Sequence, residues 1–234
     1  MTADPFTGQE RANRRQQLPE EVAAYVRELI ISGTVRPGDF LRLEPIAEAV
    51  GVSNTPVREG LLALRSEGFV RLVPRRGFVV APFSRQDVRD IFWAQAQLGG
   101  ELAARAAKKS TPELIAELES ILQAYEKASV NDDAAGMAQL GHAFHRETNL
   151  AADSPRLALL MGSVVNQLPT RFYAAIEGRL HETHEQHPPL LEALRARNAR
   201  TARSLMEQHI LGGADRLIET LEQRGLWDPQ APAS

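Results

Sequence analysis

Gly51-Val52-Ser53-Asn54-Thr55-Pro56-Val57-Arg58-Glu59 is the stretch around which the chain is organised. Gly51 has no Cβ and can take the positive φ that a sharp turn needs. Ser53, Asn54 and Thr55 offer capping oxygens, and Pro56 suits the first helical position. Val57, Leu61 and Leu64 then fall at i, i+4 and i+7, an inward stripe. That leaves Asn54, Thr55, Arg58 and Arg65 facing outward. Just upstream, Glu44 to Val50 reads as a short helix burying Ile46, Ala47 and Val50. Two helices joined by a short turn with a glycine, the second showing polar residues at its N-terminal end, predict a helix-turn-helix.

Working outward, Val22, Val26, Leu29 and Ile30 predict a helix from Leu18 to about Ser32, begun by Pro19, Glu20 and Glu21 and ended by Gly33. Residues 1–17 are polar and carry Arg11, Arg14 and Arg15; they read as a disordered tail, or as an arm that touches phosphates. Downstream, the β-prone runs Phe69–Val73 and Phe78–Ala81 flank Pro74-Arg75-Arg76-Gly77. This is a hairpin wing with Arg75 and Arg76 at its tip and a glycine, Gly77, that lets the backbone approach a groove closely. Pro82 marks the exit, so residues 18–82 form a winged helix-turn-helix domain.

Residues 83–227 read as helical throughout. A first helix from Ser84 to about Lys108 buries Val88, Ile91, Phe92, Gln95, Leu98, Leu102 and Ala106, weakened locally by Gly99-Gly100. Others run from Thr111 to Ser129, from Asp133 to Leu150, from Pro155 to about Ile176 with a kink at Pro169, from Pro188 to Arg197, and from Ala199 to Arg224. Residues 228–234 form a tail. The predicted fold is mainly α: a winged helix-turn-helix followed by an all-helical bundle.

The chain of 234 residues carries a net charge of −3, divided unevenly. Residues 1–82 hold 11 arginines against 10 acidic residues, and the remainder holds 16 basic against 20 acidic. A mildly basic head on an acidic body suits a DNA reader. With no cysteine, disulfides and thiol catalysis are excluded. No apolar run reaches the roughly 18 residues of a membrane helix, and the start lacks a signal-peptide core. The expected location is the cytoplasm.

Val52-Ser53, Thr55-Pro56-Val57-Arg58-Glu59, Glu67-Gly68-Phe69-Val70 and Pro74-Arg75-Arg76-Gly77 together resemble the GntR family of bacterial transcription regulators. The helical remainder resembles the family's FCD type of effector domain. The resemblance implies that Arg58 reads guanine or clamps phosphate from the recognition helix. It also implies that Thr55 meets phosphate at the helix N-terminus, and that Arg76 and Gly77 enter the minor groove at the wing tip. Asn54 stands where many members have arginine, and asparagine can pair with adenine. Leu62 occupies an outward position that is usually polar. Arg65 is as well suited to an ion pair as to a phosphate.

The resemblance also implies a metal site. His145, His187 and His209 match three histidine positions of the family, within Ala143-Phe144-His145, His187-x-x-Leu190 and Met206-x-x-His209-Ile210. The family's fourth ligand, an Asp four residues before the first histidine, is Gly141 here. Either His142 replaces it, or metal binding weakens and the pocket holds an organic ligand directly. An all-imidazole set favours zinc or nickel over magnesium. His181 and His184 are expected in an exposed loop. Gln95 faces the interior where relatives often carry an effector-binding arginine, and Arg171 is a candidate replacement.

These readings converge on a non-enzymatic regulator. A homodimer would bind a palindromic operator in double-stranded DNA and respond to a small carboxylic acid. Two rivals stand beside it: a metal-dependent hydrolase built on the histidines, with Glu147 and Glu185 as the nearest bases, and an effector-free DNA-binding dimer.

Overall fold

The computed structural model describes residues 8–169, 181–223 and 225–227, with the side chains of residues 8–16 and 181–185 left aside. The chain divides into two compact units, Met1–Ser84 with Leu221–Ser234, and Arg85–Thr220. Leu221 to Trp227, read from sequence as the end of the helical domain, therefore group with the winged unit. There Trp227 Nε1 donates to the Phe83 carbonyl at 2.7 Å.

The winged unit contains α1 (Gly8–Ile31), β1 (Phe40–Leu41), α2 (Leu43–Val50), α3 (Asn54–Ser66), β2 (Val70–Val73) and β3 (Gly77–Val80). Its buried centre includes Val22, Val26, Val57, Leu61 and Leu64, the stripes expected of α1 and α3. Of the face expected on α2, only Ile46 is fully buried. Gly51 takes φ 74° at the C-cap of α2, and its N–H reaches the carbonyls of Ala47 and Glu48. Three expectations shift. The first helix begins at Gly8 rather than Leu18 and runs through Pro19, which removes one N–H but does not stop it. α3 begins at Asn54, so Pro56 is its third residue and lies buried. A third strand, β1, joins the wing to give the antiparallel order β1-β3-β2. Two residues are too few to show a period-2 pattern.

α1 and α3 approach closely at Gly60, where a Cβ would lie 2.7 Å from the Pro19 carbonyl oxygen and 2.9 Å from Val22 Cγ1. Arg27 on α1 is buried and bonds Glu67 at 2.6 Å, tying α1 to the end of α3.

The second unit is helical: α4 (Arg85–Lys109), α5 (Pro112–Val130), α6 (Ala134–Ala151), α7 (Pro155–Val165), α8 (His181–Arg195) and most of α9 (Ala199–Gln223). Thr111 and Asp133 cap α5 and α6 by accepting from the backbone N–H of Leu114 and Gly136. The core is built from Leu118, Phe144, Leu190, Leu194 and Met206, with small residues such as Ala103, Ala106 and Ala202 between them. α4 and α9 run antiparallel at short range, which explains the glycines. A Cβ on Gly99 would meet Ile210 Cδ1 at 2.6 Å, and one on Gly213 would meet Phe92 Cε1 at 2.7 Å. Gly99 and Gly100, expected only to weaken α4, thus set its distance from α9.

Two helix boundaries differ from expectation. α7 ends at Val165, so Pro169 lies beyond it, and the part of the expected helix from 170 to 176 lies outside the described residues. α8 begins at His181 and carries Pro188 and Pro189 inside, so the backbone of His181 and His184 is helical rather than looped. The two prolines forfeit N–H donors, which is why the sequence pattern appeared to start there.

Candidate functional site

The winged unit exposes one polar face. Asn54, Thr55 and Arg58 are all exposed on the first turns of α3, and Arg65 follows on the last. Arg58 makes no ion pair among the described residues; Glu67, a partner available to it in sequence, is taken by Arg27. Leu62 is 43% exposed, as its outward position predicts. At the wing tip, Arg76 N–H donates to the Val73 carbonyl at 3.0 Å, closing a turn with Pro74 and Arg75 in the middle. Arg75 adopts φ 62° and Gly77 φ 96°. A positive φ at the third turn position is the type II pattern, usually given to glycine or asparagine. An arginine there accepts backbone strain of about 1–2 kcal/mol. Arg75 and Arg76 are both exposed, and the Arg76 guanidinium carbon lies 4.6 Å over the Phe40 ring.

The second site lies within the helical unit. α6 runs a face of His142, His145, Arg146 and Asn149, spaced i, i+3, i+4 and i+7. α9 presents Met206, His209, Ile210, Gly213 and Arg216 at the same kind of spacing. With Phe92, Gln95 and Gly99 of α4 and Met161, Gly162 and Val165 of α7, they enclose a cavity of about 500 Å³. Most of the wall is apolar. Its described lining contains two arginines and no carboxylate, so its charge is positive or neutral.

His145 and His209 stand on the cavity wall, and the buried His187 of α8 joins them from the core side. His145 Nε2 lies 3.0 Å from His209 Nε2 and 3.5 Å from His187 Nε2. One ligand atom from each of the three rings can be chosen so that all lie within 4.8 Å of one another. The His187 ring packs on Phe144 with centroids 4.8 Å apart. His209 Nδ1 donates to Gln186 Oε1 at 2.9 Å, leaving its Nε2 lone pair toward the other rings. Burial pushes His145 well below its ordinary pKa, helped by the neighbouring His209 and His142. Burial, then His187 and Arg216, lowers His209 from 6.5 to about 3. Both rings are held neutral, the form that ligates metal.

This donor set fits a divalent ion. Four tetrahedral ligands at about 2.0–2.1 Å stand roughly 3.3 Å apart, and two of the nitrogen pairs here, at 3.0 and 3.5 Å, are close to that spacing. A second hydrogen bond that fixes ring orientation is the usual companion of a ligating histidine, and Gln186 supplies one. His142 lines the cavity but stays outside the group of three. Gly141 is buried and offers no donor. Gln95 is 3% exposed and lines the cavity as expected, while Arg171 lies outside the described residues. Arg216 was missed. It stands two turns beyond His209 on one face of α9, with its guanidinium nitrogens folded back over Gly212. Asn149 was also missed; its Oδ1 is buried without a hydrogen bond among the described residues. Glu147 is bonded by Arg146 at 2.9 Å and does not line the cavity, which leaves the hydrolase reading without a base from that side chain.

Comparison with known proteins decides the family. A model of bacterial regulatory proteins of the gntR family matches residues 18–80, and the FCD domain model matches residues 90–212. The chain belongs to the GntR family. Its FCD domain coincides with the unit that carries the histidines. This GntR chain is 25% identical over 154 residues to an HTH-type transcriptional regulator of Mycobacterium tuberculosis, a match spanning 66% of the chain and 62% of that relative's length. It is 27% identical over 193 residues to the Escherichia coli transcriptional repressor GlaR, covering 78% and 87% of the two chains. The solved structure of E. coli McbR/YncC superposes with a TM-score of 0.63 at 25% identity, over 88% of this chain and 97% of that one. These relatives are named as transcription regulators, and none of the three as an enzyme.

Proposed function

We propose that this GntR-family chain is a DNA-binding transcription regulator, acting as a repressor, whose operator affinity is set by a small carboxylic acid held in the FCD cavity. The observation that carries the reading is the cavity itself. It is a roughly 500 Å³ space, mostly apolar, with three converging imidazoles and two arginines on or beside its wall and no described carboxylate. Such a lining suits an anionic organic ligand better than a cationic or neutral organic one. Among the relatives, GlaR of Escherichia coli is named a repressor.

His145, His187 and His209 would hold a divalent ion, with zinc or nickel favoured by an all-nitrogen set. Bound there, the ion supplies a Lewis-acidic contact for a ligand carboxylate. Around it, Arg216 and Arg146 attract the anion, Phe92, Met161 and Ile210 exclude water from its apolar part, and Gln95 offers an amide at the wall. Binding that favours one arrangement of the chain over another would change operator affinity by the difference in ligand affinity between the two. Two-fold pairing of chains would make the operator a palindrome, because one recognition helix spans only a few base pairs.

The test is fluorescence anisotropy with DNA from upstream of the protein's own gene. Arg58→Ala should cost about 1–3 kcal/mol of specific binding and leave a salt-dependent remainder. Specific binding that survives Arg58→Ala unchanged would show that α3 does not read this DNA. Metal content is checked in parallel on wild type and His187→Ala; a wild type that takes up neither zinc nor nickel removes the ion from the scheme.

A further inference from the structure

Phe40 is a large aromatic side chain left 40% exposed at the start of β1. β1 pairs with β3 in the register Phe40↔Val79 and Leu41↔Phe78, which brings Phe40 beside the wing although it is distant in sequence. Arg76 immediately precedes β3, and its guanidinium carbon lies 4.6 Å over the Phe40 ring. Arg76 has no ion pair among the described residues.

The geometry of that contact decides what it can do. An ion pair with a carboxylate would occupy the edge of the guanidinium, where its N–H donors lie, and cancel its charge. Stacking on an aromatic ring uses the face of the plane and leaves the edge donors and the charge available. A long arginine on an exposed hairpin tip otherwise samples many rotamers, and ordering it on binding opposes affinity. The preceding Arg75 is held at φ 62°, so the backbone at the tip is also in an uncommon shape that the turn maintains.

We propose that Phe40 is a positioning residue for DNA binding: its ring stacks on Arg76 and holds the guanidinium ready, edge outward, for the duplex. The inference rests on the reading of this unit as a DNA binder. It assigns to Phe40 a role in the strength of the wing contact, although Phe40 need not touch DNA itself.

A double-mutant cycle on the full-length protein tests it, read by anisotropy on the same upstream DNA between about 50 and 200 mM salt. Phe40→Ala should weaken binding about three- to tenfold, the range of a cation–π contact at a partly exposed site. Phe40→Tyr, which keeps the π face, should restore it to within about twofold, whereas Phe40→Leu, which keeps apolar bulk alone, should behave like alanine. In the Arg76→Ala background, Phe40→Ala should change affinity by less than about twofold, because the residue it positions is gone. Arg76→Ala itself should lower the salt slope by about one. Thermal melts of each variant separate loss of fold from loss of positioning.

Three results overturn the proposal. Phe40→Ala that binds like wild type removes the role. An undiminished effect of Phe40→Ala in the Arg76→Ala background shows that the ring acts by itself. Tighter binding by Phe40→Ala shows that the stack withholds Arg76 instead of presenting it. If wild type fails to bind specifically and Arg58→Ala changes nothing, the DNA reading itself falls, an outcome distinct from these.

Discussion

Acidification should destabilise the metal-free helical unit, and the histidine cluster sets the size and the window of the effect. His209 falls from its ordinary 6.5 to about 3 in the folded chain, chiefly through burial. Its folded pKa is therefore depressed below the unfolded one. The unfolded chain takes up a proton first, so the stabilising contribution of the neutral ring is complete above about pH 6.5 and is lost as pH falls toward 3. Each pH unit below 6.5 removes about 1.4 kcal/mol, so His209 alone costs about 2 kcal/mol at pH 5. His145 is shifted in the same direction by burial and by the rings beside it. The rings titrate as a coupled set, so their losses do not add. The assay is urea denaturation followed by far-UV circular dichroism, in chelator, at pH 7.5 and pH 5. Stability should fall by about 2 kcal/mol or more, and His209→Asn should flatten the dependence. Zinc should raise the midpoint at pH 7.5 and do so less at pH 5, because its ligands must lose protons to bind. A chelated wild type equally stable at both pH values would refute the burial argument for these rings.

Other outcomes follow from the packing. Gly60→Ala gains about 1 kcal/mol of helix propensity but drives a methyl onto the Pro19 carbonyl, a backbone atom that cannot rotate away; overpacking of about 1–3 kcal/mol should win and lower the Tm of the winged unit. Arg75→Gly should relieve the φ 62° strain and stabilise the wing by up to about 1 kcal/mol, while the salt slope of DNA binding drops by about one. The opposite movement of the two readouts is the check. Arg27→Ala leaves Glu67 without its 2.6 Å partner in a half-buried setting and should cost about 2 kcal/mol in denaturant melts, more than Glu67→Gln.

The recognition turn and the wing were legible because each is a local pattern, whereas the three histidines were picked out only by their match to the family's positions. Gly51 needed its positive φ, α3 needed its i, i+4, i+7 stripe, and the wing needed a Pro-Arg-Arg-Gly tip between two β-prone runs. What escaped reading depends on contacts between distant segments. Phe40 drew no reading from sequence, since nothing near it says that β3 will pair there. Arg216 and Asn149 looked like ordinary polar residues on helices. A polar side chain seven residues from a histidine has the same spacing whether it lines a cavity or faces water. α8 was cut short because Pro188 and Pro189 look like a helix start, and the pattern cannot show when packing carries the helix through them.

The glycines between α4 and α9 have a consequence for how this chain can change. Gly99 and Gly213 admit no Cβ without pushing Ile210 or Phe92, and both of those side chains line the cavity. His209 is carried on the same helix, next to Ile210. One added methyl at either glycine would therefore reshape the pocket and displace the His209 ring together, though neither glycine bears a functional group. An evolving or engineered relative could switch ligand through a substitution that no survey of histidines would flag. A library meant to alter ligand preference while preserving the imidazole cluster should vary Met161, Val165 and Gln95 and leave these glycines alone.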